Sequence, residues 1–203
     1  MYRKRNNIRK VSPRILVLCE GHTEKIYFSD MRATLSRQAQ RDISINIIKA
    51  HKSEPKNMLE EAIKLQAKAR TEQQPFQDVW LVFDDDNRKD HKHVFDKAQK
   101  NNFKIAYSSI SFEYWYLIHF FKKAIVYSNA DNAKRELCNY IPGYCETLAG
   151  VFELLRPLYK TKALPYAKSL QRQKAYSNMY TAYLYKPITN VNELCEIILK
   201  FGK

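Results

Sequence analysis

The amino-acid sequence predicts an α/β fold: a mainly parallel central sheet flanked by helices, with a carboxy-terminal helical extension. Three observations predict it. Two short apolar runs, RILVLC at 14–19 and VWLVF at 79–83, carry no polar interruption, which suits strands buried on both faces. Both end abruptly in carboxylates, Glu20 after the first and Asp84, Asp85 and Asp86 after the second. Strand and helix patterns alternate with compact connections from residue 14 to residue 108, and purely helical patterns follow. At 203 residues the chain can bury a real core. It divides into a basic arm at 1–13, an α/β core at 14–110 and a helical extension at 111–203 packed on that core.

The arm holds Arg3, Lys4, Arg5, Arg9 and Lys10 with little to bury, so it reads as a mobile basic tail able to touch phosphates. After the first strand, Thr23 is placed to cap a helix whose apolar residues Tyr27, Met31 and Leu35 recur at helical spacing. Residues 42–49 read as the next strand, and 55–70 as a helix with Leu59, Ala62, Ile63 and Ala67 on one face. The acidic strand is followed by a short helix at 92–101 around Val94, Phe95 and Ala98, then by a strand at 104–108. The aromatic stretch 111–121 is predicted helical, with Glu113 near its start and His119 further on. Further helices are predicted at 131–140, 151–159, 164–185 and 191–201. Asn190 and Glu193 have capping-box spacing, and Leu194, Ile197, Ile198 and Phe201 form the buried stripe of the last helix.

A formal charge of +14, from 35 Lys and Arg against 21 Asp and Glu, calls for an anionic partner: nucleic acid or an acidic membrane surface. The most apolar stretch, 110–126, is broken by Glu113, His119, Lys122 and Lys123, so it reads as a buried helix and not as a membrane span. As apolar surface, its aromatic part suits either the core or a homodimer interface. Cys19, Cys138, Cys145 and Cys195 are widely spaced, with no Cys-x-x-Cys pair and no signal peptide ahead of them. They read as reduced thiols of a cytoplasmic protein.

The carboxylates at the strand ends are the candidate site. In an open α/β sheet ligands bind at the carboxyl ends of the strands, and the period of two lets Asp84 and Asp86 point the same way while Asp85 points elsewhere. Such a pair suits a hard cation: magnesium takes oxygen ligands at about 2.0–2.1 Å, with water and substrate phosphate completing its octahedron. The plain alternative is an acidic loop that caps the next helix. Glu24 lies in the first turn of its helix, where the dipole stabilises an acid with or without metal. His119 reads as a packed core or interface histidine. The helical half interleaves Tyr159, Lys160, Lys162, Tyr166, Lys168, Arg172, Lys174, Tyr176, Tyr180 and Tyr183. Lys162, Lys168, Arg172 and Lys174, with Arg3, Lys4 and Arg5 of the arm, are candidate nucleic-acid contacts, and aromatic faces can stack unpaired bases for about 1–3 kcal/mol each. Tyr176, Tyr180 and Tyr183 also follow helical spacing, as a core stripe does.

Glu20-Gly21 ending the first strand, with VFDDD ending the third, resembles the Toprim domain, the metal-binding module of topoisomerases, primases and OLD-family nucleases. CEGHTEKIYF at 19–28, SFEYWYLIHF at 111–120 and YKPITNVNEL at 185–194 are similar to RloB-like proteins, small Toprim proteins of bacterial restriction and abortive-infection loci. The similarity runs from about residue 14 to the carboxyl terminus. One departure is the turn ahead of Phe112-Glu113, where such proteins commonly carry Asn-Pro and this chain has Ser109-Ile110.

The resemblance implies a Toprim-like core and metal-dependent phosphodiester cleavage. By position, Glu20 and Glu24 match the acids of the first Toprim motif, Asp84 and Asp86 the Asp-x-Asp pair, and Glu113 a further acid of OLD-type nucleases. A motif lysine is matched by Lys160 or Lys162. Asp84 and Asp86 are then the primary Mg2+ ligands, with Mn2+ as a substitute. Glu20 is a ligand or general base, and Glu24 and Glu113 complete a second site. Lys160 would neutralise the transition-state phosphate or protonate the leaving group. The resemblance also implies a partner, an ATPase of SMC or ABC type encoded alongside, which restrains or activates cleavage. The leading expectation is a nuclease acting on DNA or RNA, tRNA included, in antiphage defence. The competing one is a non-cleaving nucleic-acid-binding or sensor subunit of a defence complex, with a structural metal. Strand transfer as in topoisomerases would need a nucleophilic tyrosine in a separate domain, for which the chain is too short.

Overall fold

A computed structural model describes residues 12–85, 91–173 and 186–202. Arg3, Lys4, Arg5, Asp86, Lys174, Tyr176, Tyr180 and Tyr183 lie outside the described residues. Four strands, β1 (Arg14–Cys19), β2 (Ser44–Lys49), β3 (Asp78–Asp84) and β4 (Lys104–Ser108), form one sheet in the order β2-β1-β3-β4, with every pairing parallel. Side chains alternate along each strand, so both faces carry apolar residues. Ile15, Val17 and Cys19 of β1 join Trp80 and Val82 of β3 in one cluster, whereas Leu16 and Leu18 join Val79, Leu81 and Phe83 in the other. That double burial is why these strands read as unbroken apolar runs.

Helix α1 (His22–Ala33) and the short α2 (Arg37–Asp42) connect β1 to β2 over the first face. Helices α3 (Pro55–Thr71) and α4 (His91–Lys100) cover the second face on the way to β3 and β4. The path runs one way across the sheet to β2 and the other way to β3 and β4, so right-handed crossovers must place their helices on opposite faces.

After β4 come α5 (Phe112–Leu117), α6 (Ala130–Cys138), α7 (Val151–Leu158), a π-helical turn (Tyr159–Ala163), α8 (Leu164–Gln173) and α9 (Val191–Lys200). The π-turn sits between Pro157 and Pro165, two residues that cannot donate to the helical ladder. These helices close over the first face. Phe112, Tyr116, Phe152, Leu155, Leu194 and Ile198 share one cluster with Tyr27 and Phe28 of α1. Tyr27 is its hub, with ring centroids 5.6 Å from Phe112, 5.4 Å from Tyr116 and 5.5 Å from Phe152. Among the described residues no helix is long and apolar enough to cross a membrane.

Three expectations are corrected, and one short helix was not expected. Helix α1 starts before Thr23, with Gly21 as its cap residue, because Glu24 folds back on the Gly21 N–H and stabilises the earlier start. Helix α2 has no apolar periodicity to announce it; the Ser36 hydroxyl accepts from the Ala39 N–H at 3.1 Å and caps it. The aromatic stretch leaves the helix after Leu117. Asn190 is the N-cap residue of α9, but its side chain does not cap it. Its Oδ1 accepts from the Tyr107 N–H at 2.6 Å and its Nδ2 donates to the Ile105 carbonyl at 2.8 Å, so the side chain serves the open edge of β4. His119 is a core residue: its Nδ1 lies 2.9 Å from the Trp115 carbonyl, and burial pushes its pKa down to about 4, which keeps it neutral.

Candidate functional site

Strands β1 and β3 are neighbours, and the chain leaves the end of β1 for α1 on one face and the end of β3 for α4 on the other. Diverging connections of this kind open a crevice at the carboxyl ends of the strands. Glu20 follows β1 directly and Asp84 ends β3. Strand pairing itself brings them together: the Glu20 N–H donates to the Val82 carbonyl at 2.9 Å, and the Asp84 N–H donates to Glu20 Oε2 at 3.2 Å.

The other two acids arrive from helix starts. Glu24 is the third residue of α1, and its Oε2 accepts from the Gly21 N–H at 2.9 Å. A Cβ on residue 21 would stand 2.8 Å from that oxygen, so it is the close approach of the Glu24 carboxylate, and not an unusual backbone angle, that favours glycine. Glu113 is the second residue of α5, and the Tyr144 hydroxyl donates to its Oε1 at 2.9 Å. Glu20, Glu24, Asp84 and Glu113 all line one cavity of about 390 Å³, together with Lys49 and Lys134. Glu20, Glu24 and Glu113 are respectively 8%, 4% and 3% exposed, so three acids are held more than nine-tenths out of water. Burial, and then the charges of Glu20 and Glu113, push the Glu24 pKa up to about 8.

Among the described residues no three His, Cys, Asp or Glu side chains are grouped as a ready ligand set. The carboxylates of Glu20, Glu24 and Glu113 are instead turned to the donors just named. The donor set nevertheless fits a hard divalent cation. It is all oxygen, it is desolvated, and its members raise one another's energy when charged. Ser111 also lines the cavity, and its hydroxyl is buried without a hydrogen-bond partner among the described residues. Glu20, Glu24, Asp84 and Glu113 are the described residues that would hold the ion. Asp86, expected beside Asp84, lies outside the described residues.

Asp85 goes elsewhere, as the alternation along β3 predicts. It is 1% exposed and forms an ion pair with Lys186, which arrives from the segment ahead of α9. That segment runs along the edge of β4: Thr189 bridges Ser108, and the Ser109 N–H donates to the Ile188 carbonyl at 2.9 Å. The pair ties the end of the acidic strand to the carboxy-terminal part of the chain. The sequence reading missed Lys186, although it lies inside YKPITNVNEL; strand-end acids signal a need for counter-charge but not its source.

The structure does not bring the expected lysine to the acids. Lys160 is exposed on the π-turn and lines a different cavity with Arg156, Phe152 and Leu199. Lys162, on the same turn, is not among the residues lining the acid cavity. Lys168 donates to Glu196 Oε1 at 2.7 Å, and Arg172 is exposed on α8. Of the lysines at the acid cavity, Lys134 pairs with Glu146, a contact that raises its pKa, and Lys49 ends β2. A strand-end rule applied to β2 as well as to β1 and β3 would have singled out Lys49.

The model of the RloB-like protein family matches residues 15–198, which takes in the sheet from its second residue onward and all the described helices but the last two residues of α9. The chain belongs to the RloB-like family. No curated protein and no solved structure matches it. The four acids of this RloB-like protein, and Lys186, all fall within the matched region.

Proposed function

We propose that this RloB-like protein is a metal-dependent nuclease of the Toprim type, hydrolysing phosphodiester bonds of DNA or RNA. The observation that carries the reading is the pairing of Glu20 and Asp84 at the carboxyl ends of adjacent parallel strands, with Glu24 and Glu113 lining the same cavity. Convergent buried carboxylates on so basic a chain serve a cation better than they serve stability. Mg2+ or Mn2+ held by Glu20, Glu24, Asp84 and Glu113 would supply Lewis-acid activation of water and of the scissile phosphate. The protein's own part is positional. Strand register holds Glu20 against Asp84, the Gly21 N–H orients Glu24, and Tyr144 orients Glu113. The +14 charge supports a polyanionic substrate. A role in antiphage defence in the cytoplasm, alongside an SMC- or ABC-type ATPase, belongs to this reading through the family resemblance.

One observation favours a second reading, a nucleic-acid-binding or sensor subunit that does not cut: Glu24 and Glu113 already have protein donors, and among the described residues the acids are not grouped as a ligand set. Cleavage of duplex DNA, single-stranded DNA and total tRNA by wild type and Asp84→Ala, with Mg2+, Mn2+ or chelator, separates the two. The nuclease reading expects cutting of at least one substrate, lost on chelation and in the variant. Equal binding by both proteins with no cutting, with and without the ATPase partner, overturns it in favour of the second.

A further inference from the structure

Lys49 is the last residue of β2 and pairs in register with Cys19, the residue before Glu20. The Ala50 N–H donates to the Cys19 carbonyl at 2.8 Å, so sheet pairing holds the ends of the two strands together just past Lys49. Cys19, Ile45 and Ile47 face the cluster that contains α1, and alternation along β2 sends Lys49 to that same side, where Glu24 stands. Its side chain lines the acid cavity and is half-buried. Lys134, the other lysine of the cavity, is engaged by Glu146, whereas Lys49 forms no ion pair with a described residue. A lysine beside four carboxylates would lower their repulsion by pairing with one of them, and this one pairs with none.

We propose that Lys49 is the phosphate-binding cation of this site, donating hydrogen bonds to a non-bridging oxygen of the nucleic-acid backbone that enters the cavity. The assignment deepens the nuclease reading and takes over the role the resemblance gives to Lys160. It involves no proton transfer: the ammonium stays protonated and offsets charge that gathers on the phosphoryl oxygens. A strand-borne lysine suits this better than Lys160, because its backbone is fixed by pairing to β1, whereas Lys160 sits exposed on the π-turn at another cavity.

The experiment compares wild type, Lys49→Ala, Lys49→Arg and Lys160→Ala. It measures cleavage of the substrate class that wild type cuts in Mg2+, and affinity for a single-stranded oligonucleotide in Ca2+ over a range of salt. Thermal melts establish that each variant is folded. We expect Lys49→Ala to lose about 10²–10³-fold in kcat, as loss of one charge-stabilising donor does, with partial rescue by Lys49→Arg. Its salt dependence of binding should flatten by about 0.7 in log–log slope, one phosphate contact on a single strand. Cutting by folded Lys49→Ala at the wild-type rate overturns the assignment and leaves the nuclease reading standing; a loss on Lys160→Ala in its place would return the role to that residue. If wild type binds but does not cut, with or without the ATPase partner, the nuclease reading fails, and the slope alone decides whether Lys49 contacts phosphate. A protein that neither cuts nor binds overturns both.

Discussion

Two cavities of this protein hold charged groups in opposite ways. At the carboxyl ends of β1 and β3, Glu20 and Asp84 are fixed by strand register, and Glu24 and Glu113 by the first turns of α1 and α5. In the cavity of about 580 Å³ beside the π-turn, Arg156 and Lys160 extend from exposed helical positions over Leu35, Phe152 and Leu199. Buried like charges are expensive until a counter-charge arrives, whereas exposed cations are solvated at no comparable cost. The first cavity therefore holds a repulsion that a ligand can relieve. The second holds none. Positive charge spread over the surface can gather a polyanion, but only the fixed acids can select what happens to it.

The sharpest break between the two comes from Asp84→Ala. Cleavage should fall by more than about 100-fold, beyond what loss of outer-shell support alone costs a metal site, while the melting temperature in chelator stays level or rises. Lys186→Ala comes next. It leaves Asp85, 1% exposed, without its ion pair, and urea unfolding should show a loss of about 2–4 kcal/mol, tempered because Lys186 itself is 32% exposed.

Glu24→Gln tests whether the acid cavity stores repulsion. The folded-state pKa of Glu24, about 8, lies above its ordinary 4.5, so the folded chain binds that proton more tightly than the unfolded chain. The associated stability is full below about 4.5 and is lost as pH rises through about 8. Melting temperatures in chelator should therefore decline over that window in wild type and decline less in Glu24→Gln. With Mg2+ present the wild-type decline should shrink, since the cation replaces the proton; a wild-type profile indifferent to the metal would count against a cation site.

Gly21→Ala has a smaller effect, about 1 kcal/mol, because the new methyl displaces the Glu24 carboxylate from the Gly21 N–H. Denaturation would register the cost, and Mg2+ affinity should weaken with it. Least of all is Arg156→Ala at the other cavity. Its pair with Glu153 spans 3.5 Å between side chains each 56% exposed, so less than about 0.5 kcal/mol should be lost.

Much of this molecule is written in local patterns. The four strands and the order in which helices separate them follow from apolar runs and their interruptions, and an acid at the end of a doubly buried strand already points to the ligand-binding edge of a sheet. Asp85 turning away from Asp84 is legible too, since pleating allows nothing else. The errors concern features with no period. Helix α2 rests on one serine cap, and Asn190 looks like a cap because spacing alone cannot say that an open strand edge will claim its amide.

The sequence by itself determined the class of fold, the basic balance and the acids at the ends of β1 and β3. Only the tertiary structure decided that Lys186 would answer Asp85, and that Lys49 and not Lys160 would stand at the cavity. Hydrogen-bonded periodicity acts over a few residues and leaves its mark in composition. Which charge meets which across 64 positions or more depends on strand register and on how the helices close over one face of the sheet, and neither leaves a local trace.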